Sequence, residues 1–178
     1  ATVAGVDIDV AGARAAADLT GGFALALEVG DAARAQAAVE AIEARCGRLD
    51  IVVNNAGVNT MAHRVTIDAF PEAEWDRILR VDLTGVYLVS RAAVPLLRRS
   101  DAARVVNIAS VAGLVPLRLQ CAFTAAKAGV VNLTRAMAIE LGKDGILVNA
   151  VAPGSILTAG TEKLFYGEDS LFRESVQR

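Results

Sequence analysis

The chain is short of the residue types on which several chemistries depend. Of 178 residues, one is histidine and two are cysteine: His63, Cys46 and Cys121. A lone imidazole cannot build a multi-histidine metal site, and no cysteine pair has zinc spacing, so no metal is expected. Two cysteines cannot form a disulfide framework, which fits a reducing compartment and points to the cytoplasm. No apolar stretch reaches the ~18 residues of a membrane-spanning helix, so no membrane partner is expected. Charge of one sign is equally scarce. The 18 Lys+Arg against 20 Asp+Glu leave a net charge of −2, with no long basic run to attract nucleic acid. At 54% hydrophobic and 21% charged residues, the composition excludes disorder, and the length suits one domain, residues 1–178, with a real core. There is no initiator Met and no signal-peptide pattern. The opening Ala-Thr-Val-Ala-Gly-Val-Asp reads like the inside of a strand, so a fragment is expected.

What is present is an alternation of short apolar runs and longer helical patterns. The runs are Thr2–Val6, Phe23–Leu27, Leu49–Val53, Arg104–Ile108 and Ile146–Val151. Continuous apolar runs of this length suit strands buried on both faces of a parallel sheet. Helical spacing marks Val10–Asp18 and Asp31–Arg45, the second with Asp31 as N-cap and Gly47 as its end. Residues Glu72–Arg99 hold two helical pieces, with a kink expected at Pro95, and Gln120–Leu141 is a long helix closed by Gly142. Such alternation gives repeated βαβ units and an α/β, doubly wound parallel sheet. Residues 155–178 are polar and aromatic without clear period and read as a lid.

In a doubly wound sheet, ligands bind at the carboxyl ends of the strands. The residues there are Asp7, Glu28, Asn54-Asn55-Ala56-Gly57, Ser110 and Pro153-Gly154. A carboxylate such as Asp7 accepts hydrogen bonds from both ribose hydroxyls of an adenosine and repels a 2′-phosphate, favouring NAD over NADP. It serves equally as a turn or capping acid. Ala56 and Gly57 let a ligand lie against backbone, and the asparagine amides can pin neighbouring strands. An ordinary turn explains the same residues. Phe123 and Lys127 share one face of a helix, and Ser110 closes the strand before it. Lys127 beside a hydroxyl would make a proton-transfer device, but the residue facing it is a phenyl ring. A core Phe with a snorkelling Lys is the plainer reading.

Asn54-Asn55-Ala56-Gly57, Asn107-Ile108-Ala109-Ser110 followed by Val111-Ala112-Gly113, the Lys127 helix and Val148-Asn149-Ala150-Val151-Ala152-Pro153-Gly154 together resemble the short-chain dehydrogenase/reductase family. The likeness runs over essentially the whole chain, in family order and spacing. It implies a Rossmann-like, three-layer α/β/α fold, incomplete at both ends here, a nicotinamide cofactor, and hydride exchange between an alcohol and a carbonyl. By that resemblance Asp7 would hold the adenosine ribose, Glu28-Val29 would lie beside the adenine, and Asn55, Ala56 and Gly57 would cradle the nicotinamide ribose. Ser110 would bond the substrate oxygen. Lys127 would hold the nicotinamide ribose and lower the catalytic acid's pKa. Pro153, Gly154 and Ile156 would line the nicotinamide amide, with Thr158 as an amide or phosphate contact. A homodimer or homotetramer, built on helices within Val81–Arg99 and Gln120–Leu141, is the usual assembly.

Three departures stand out. The family's Tyr-x-x-x-Lys appears as Phe123-Thr124-Ala125-Ala126-Lys127, which forfeits a phenol of ordinary pKa about 10 and an acid–base contribution of ~10²–10⁴ in rate. The family's helix Asn appears as Asp82, whose burial would raise its pKa. The Gly-rich phosphate loop and the C-terminal strand and helix are absent. Tyr166, Asp82 through water, and Ser110 are the candidate replacement acids. Two readings follow: an NAD-dependent oxidoreductase acting on a small secondary alcohol or carbonyl, and a catalytically impaired member serving as a nucleotide-binding or regulatory module. His63-Arg64 reads as a solvated loop, Trp75 and Phe70 as helix packing, Tyr87 likewise, and Cys121 as a small buried residue near the pocket.

Overall fold

The computed structural model describes residues 1–60 and 64–156. His63, Thr158, Tyr166 and the lid from 157 onward therefore lie outside the described residues. Among the described residues there are five strands: β1 (Ala4–Asp7), β2 (Phe23–Ala26), β3 (Ile51–Asn54), β4 (Arg104–Ile108) and β5 (Leu147–Val151). Every pairing among them is parallel. They form a two-stranded sheet β1–β2 and a three-stranded sheet β3–β4–β5. Five helices alternate with them: α1 (Val10–Asp18), α2 (Ala32–Cys46), α3 (Glu72–Leu79), α4 (Gly85–Leu97) and α5 (Cys121–Leu141). The architecture is Rossmann-like: parallel strands with helices packed on them.

Local chemistry sets most of the boundaries. Asp31 Oδ1 accepts the N–H groups of Ala33 and Arg34 at 2.9 and 3.0 Å, satisfying two donors that the first helical turn leaves open. Gly47 ends α2 at φ 71°, a left-handed conformation that favours glycine. At the end of α5 the expectation fails in detail. Gly142 stays right-handed and begins a 3₁₀ turn, and it is Gly145 at φ 74° that reverses the chain. The long helical stretch does hold two pieces. Between α3 and α4 the chain makes a π-helical turn over Arg80–Thr84, and Pro95 lies inside α4, where its missing N–H cannot bond the Arg91 carbonyl.

The main core lies between β3–β4–β5 and the helices α2, α4 and α5. It includes Val52, Val105 and Val148 from the strands, Leu96 and Leu97 from α4, and Met137 and Leu141 from α5. Each fully buried aliphatic among them, such as Val105 or Leu97, contributes about 1.5–3 kcal/mol. Val6 packs against this core, while a Cβ at its neighbour Gly5 would lie 3.1 Å from the Ala13 carbonyl. Alternate residues of β1 thus face α1 on one side and the core helices on the other. Burial on both faces is not reached at β3 and β5. Ile51 and Val53 are 58% and 57% exposed, and Leu147 and Val151 are similarly open. The helices described on that sheet all lie over its other face, so the runs bury alternate residues only.

Candidate functional site

At the carboxyl end of β4, Ser110 opens a 3₁₀ turn over Val111–Gly113, its Oγ accepting the N–H of Ala112 at 3.1 Å. The turn rests on α5. A Cβ at Gly113 would come within 2.6 Å of the Lys127 backbone, so glycine is needed for this approach. Lys127 reaches back to the strand end, donating from Nζ to the Ile108 carbonyl at 3.0 Å. The Pro153 carbonyl accepts the Val111 N–H at 3.0 Å and the Val151 carbonyl accepts the Ala109 N–H at 2.9 Å. Ser110, Lys127 and Pro153-Gly154 are therefore brought to one place, as the motif spacing requires.

Asp82 is the centre of the π-helical turn and has no solvent exposure. Its Oδ1 accepts the Val58 N–H at 2.7 Å, and its Oδ2 lies 3.3 Å from Lys127 Nζ. Burial pushes the Asp82 carboxyl above the usual carboxylate range, opposed chiefly by the Lys127 charge. Sequence reading singled out both residues without foreseeing that they pair. Oδ2 makes no aligned hydrogen bond, and neither do the buried atoms Thr60 Oγ1, Gln120 Oε1 and Thr124 Oγ1. Buried polar atoms without partners are uncommon in native structures, and these flank the Lys127 helix and the loop after β3. The Phe123 ring lies 5.7 Å from Lys127 Nζ and, half-buried, packs against the buried cluster of Ile78, Ala122 and Ala126. It is thus the wall beside the ammonium. Gly57 completes the enclosure: a Cβ there would stand 3.3 Å from Asp82 Oδ2 and 3.5 Å from Lys127 Nζ.

The remaining residues divide. Asn54, half of the loop motif, donates to Ser90 Oγ at 3.0 Å and to Asn107 Oδ1 at 2.8 Å, and so pins β3 to α4 and β4. Asn55 is exposed and Ala56 half-buried beside Gly57. Asp7 ends β1 but its Oδ1 accepts the Asp9 N–H at 2.9 Å, the turn-acid arrangement. Glu28 is exposed, whereas Val29 packs against Gly85 at the start of α4, where an added Cβ would meet it at 2.7 Å. Ile156 is 56% exposed. Arg64 is half-buried rather than fully solvated, and that burial lowers its pKa. Tyr87 is 46% exposed, not buried in helix packing, with the Arg91 guanidinium 5.8 Å above its ring.

At the start of α5, an open cleft of about 410 Å³ is lined by Val65, Ile67, Pro116, Leu117, Cys121 and Thr124 among others. At its lip Leu119 holds φ 58°, a left-handed conformation costly for a branched side chain. Among the described residues, no three or more His, Cys, Asp or Glu side chains gather as a metal site, and no helix is long and apolar enough to cross a membrane.

Comparison with known proteins agrees with this geometry. The family model described as short chain dehydrogenase matches residues 1–169. The chain is 39% identical over 175 residues to 2-(S)-hydroxypropyl-CoM dehydrogenase 3 of Xanthobacter autotrophicus, covering 96% of this chain and 68% of that protein. It is 38% identical over 168 residues to the 3-oxoacyl-[acyl-carrier-protein] reductase FabG of Vibrio harveyi, covering 92% and 67%. Among solved structures, a gluconate 5-dehydrogenase from Burkholderia cenocepacia in complex with NADP and tartrate superposes with a TM-score of 0.88 at 28% identity, over 99% of this chain and 69% of that one. The chain spans about two thirds of the length of these proteins. With parallel strands, a serine turn and a strand-end lysine in family order, the chain belongs to the short-chain dehydrogenase family.

Proposed function

We propose that this chain carries the hydride-transfer site of an NAD-dependent oxidoreductase acting on a small secondary alcohol or carbonyl. The observation that carries the reading is the enclosure under Gly57. There the Lys127 ammonium uses one donor on Ile108 and the buried Asp82 Oδ2 has an acceptor to spare. A donor–acceptor pair over a bare glycine suits a vicinal diol, the hydrogen-bonding pattern of a ribose. The residues present fit a nicotinamide nucleotide on that ground. A bound nicotinamide ring supplies the hydride acceptor or donor. Lys127, Asn55, Ala56 and Gly57 hold its ribose. Pro153, Gly154, Ile156 and Thr158 serve the amide side. Asp7 and Glu28-Val29 serve the adenosine end, the Asp7 carboxylate favouring NAD over a 2′-phosphate. The relative with bound NADP makes both dinucleotides part of the test.

On the substrate side, Ser110 Oγ holds the reacting oxygen, and the apolar cleft of Val65, Ile67, Pro116 and Leu117 takes its carbon substituents. Oxidising an alcohol releases one proton. Phe123 cannot accept it, so the proton leaves through water, with Tyr166, Ser110 and Asp82 the groups available to relay it. Phe123 is also the observation favouring a second reading, a catalytically impaired member that keeps nucleotide binding. The two free cysteines fit a cytoplasmic protein, and α4 and α5 the interface of a homodimer or homotetramer.

Calorimetric titration with NAD⁺ and NADP⁺, followed by turnover across a panel of small secondary alcohols, tests the reading. Binding with turnover is expected. Binding without turnover supports the impaired module, and binding of neither dinucleotide overturns both readings.

A further inference from the structure

The charge beside Phe123 is not free. Lys127 Nζ and Asp82 Oδ2 are 3.3 Å apart, with side chains 7% and 0% exposed, and the Asp82 carboxylate is steered there by the Val58 N–H at 2.7 Å. The π-helical turn over Arg80–Thr84 carries Asp82 inward at this point. Coulomb attraction falls with distance, so a cation closely paired with an anion acts on a third group as a dipole and not as a charge. The third group here is position 123, whose ring centroid lies 5.7 Å from the same Nζ. The charged side chains that act on Asp82 are Lys127 from α5 and, more weakly, Arg77 from α3.

We propose that Asp82 is a positioning residue that clamps the Lys127 ammonium and cancels its charge at position 123, so that Asp82 and Phe123 are one coupled alteration of the site. The inference takes the site as read above and adds that a phenol alone does not restore its acid. In Phe123→Tyr the hydroxyl meets a closed ion pair beside the apolar cluster of Ile78, Ala122 and Ala126, and both favour its neutral form. Asp82→Asn keeps a carbonyl oxygen for the Val58 N–H and releases the ammonium to act on the phenol.

The test is ultraviolet titration of tyrosinate in Phe123→Tyr and in the double variant Asp82→Asn/Phe123→Tyr, each corrected for the parent signal of Tyr87 and Tyr166. The added phenol is expected at or above its ordinary value of about 10 in the single variant, and lower by about one unit or more in the double variant. Equal values in the two variants overturn the proposal. So does a phenol in the single variant that titrates about a unit or more below the ordinary value. The single variant decides the matter alone if circular dichroism shows the double variant unfolded. A purely structural Asp82 changes stability and leaves the phenol where it is. Neither dinucleotide nor turnover enters the measurement, so its failure is distinct from failure of the oxidoreductase reading.

Discussion

Two buried polar clusters stand at the strand ends, with α5 common to both, and they are built on opposite terms. In the first, Asn54 bonds Ser90 and Asn107, Asn107 Nδ2 donates to Thr134 Oγ1 at 2.9 Å, and Thr134 donates on to the Val130 carbonyl at 2.7 Å. All of it is neutral, and none of these four residues contributes a buried atom without a partner among the described residues. In the second, Asp82 and Lys127 are charged, Asp82 Oδ2 has no aligned donor, and Gln120 and Thr124 on the same helix leave oxygens unused. A satisfied neutral network rigidifies the structure around it. An unsatisfied charged one is costly by itself. The contrast separates the neutral polar residues that hold β3 and β4 to α4 and α5 from the buried ion pair of Asp82 and Lys127.

The strongest way to break this comparison is Lys127→Met. It strands the Asp82 carboxylate in the interior and is expected to destabilise the fold by about 3–5 kcal/mol near neutrality. The loss must depend on pH. The folded pKa of Asp82 is raised by burial, so the folded chain binds a proton that the unfolded chain releases at about 3.9. Stability from this group is therefore greatest below about pH 4 and falls as pH rises through the raised value. Without Lys127, the chief lowering influence, that fall becomes deeper. Urea denaturation at a series of pH values reads it directly, and a pH-independent loss would place Asp82 outside the charged cluster.

Asn107→Ala probes the neutral cluster. It leaves Thr134 and Asn54 short of a partner and opens a cavity, for an expected loss of about 2–4 kcal/mol. The same denaturation series should show this loss flat with pH. A smaller effect is expected from Gly57→Ala, whose methyl would sit 3.3 Å from Asp82 Oδ2. Stability should change little, while dinucleotide affinity measured by calorimetry should fall about tenfold, or ~1.4 kcal/mol. Unchanged affinity would show that nothing binds against the open oxygen. The smallest change belongs to neither cluster. Arg98 and Asp144 meet at 2.7 Å on the surface, Arg98 half exposed. Arg98→Ala should cost about 0.2–1 kcal/mol, less in high salt.

Much of the frame was legible beforehand because it depends on local periodicity and capping. The strands lie within a residue or two of the apolar runs, α1 keeps its expected bounds, and Asp31 and Gly47 cap α2 as their chemistry requires. The pinning role of the Asn54 amide was one of two readings open in the sequence, an ordinary turn being the other. Its partners were not. Ser90 and Asn107 lie 36 and 53 residues away, and nothing local marks them. Asp7 and Glu28 show the converse: strand-end carboxylates have the same sequence signature whether they meet a ribose or, as Asp7 does, a nearby backbone N–H.

Order along the chain was enough to determine an α/β alternation, a family, and the meeting of Ser110 with Lys127, because parallel strands deliver their carboxyl ends to one edge whatever the details. Only the tertiary structure decided that Asp82 turns inward on a π-helical turn and closes on Lys127. That outcome depends on the π-helical turn packing against α5, a contact between residues 45 positions apart whose energy comes from burial and charge together, and neither is written in the local sequence of either residue.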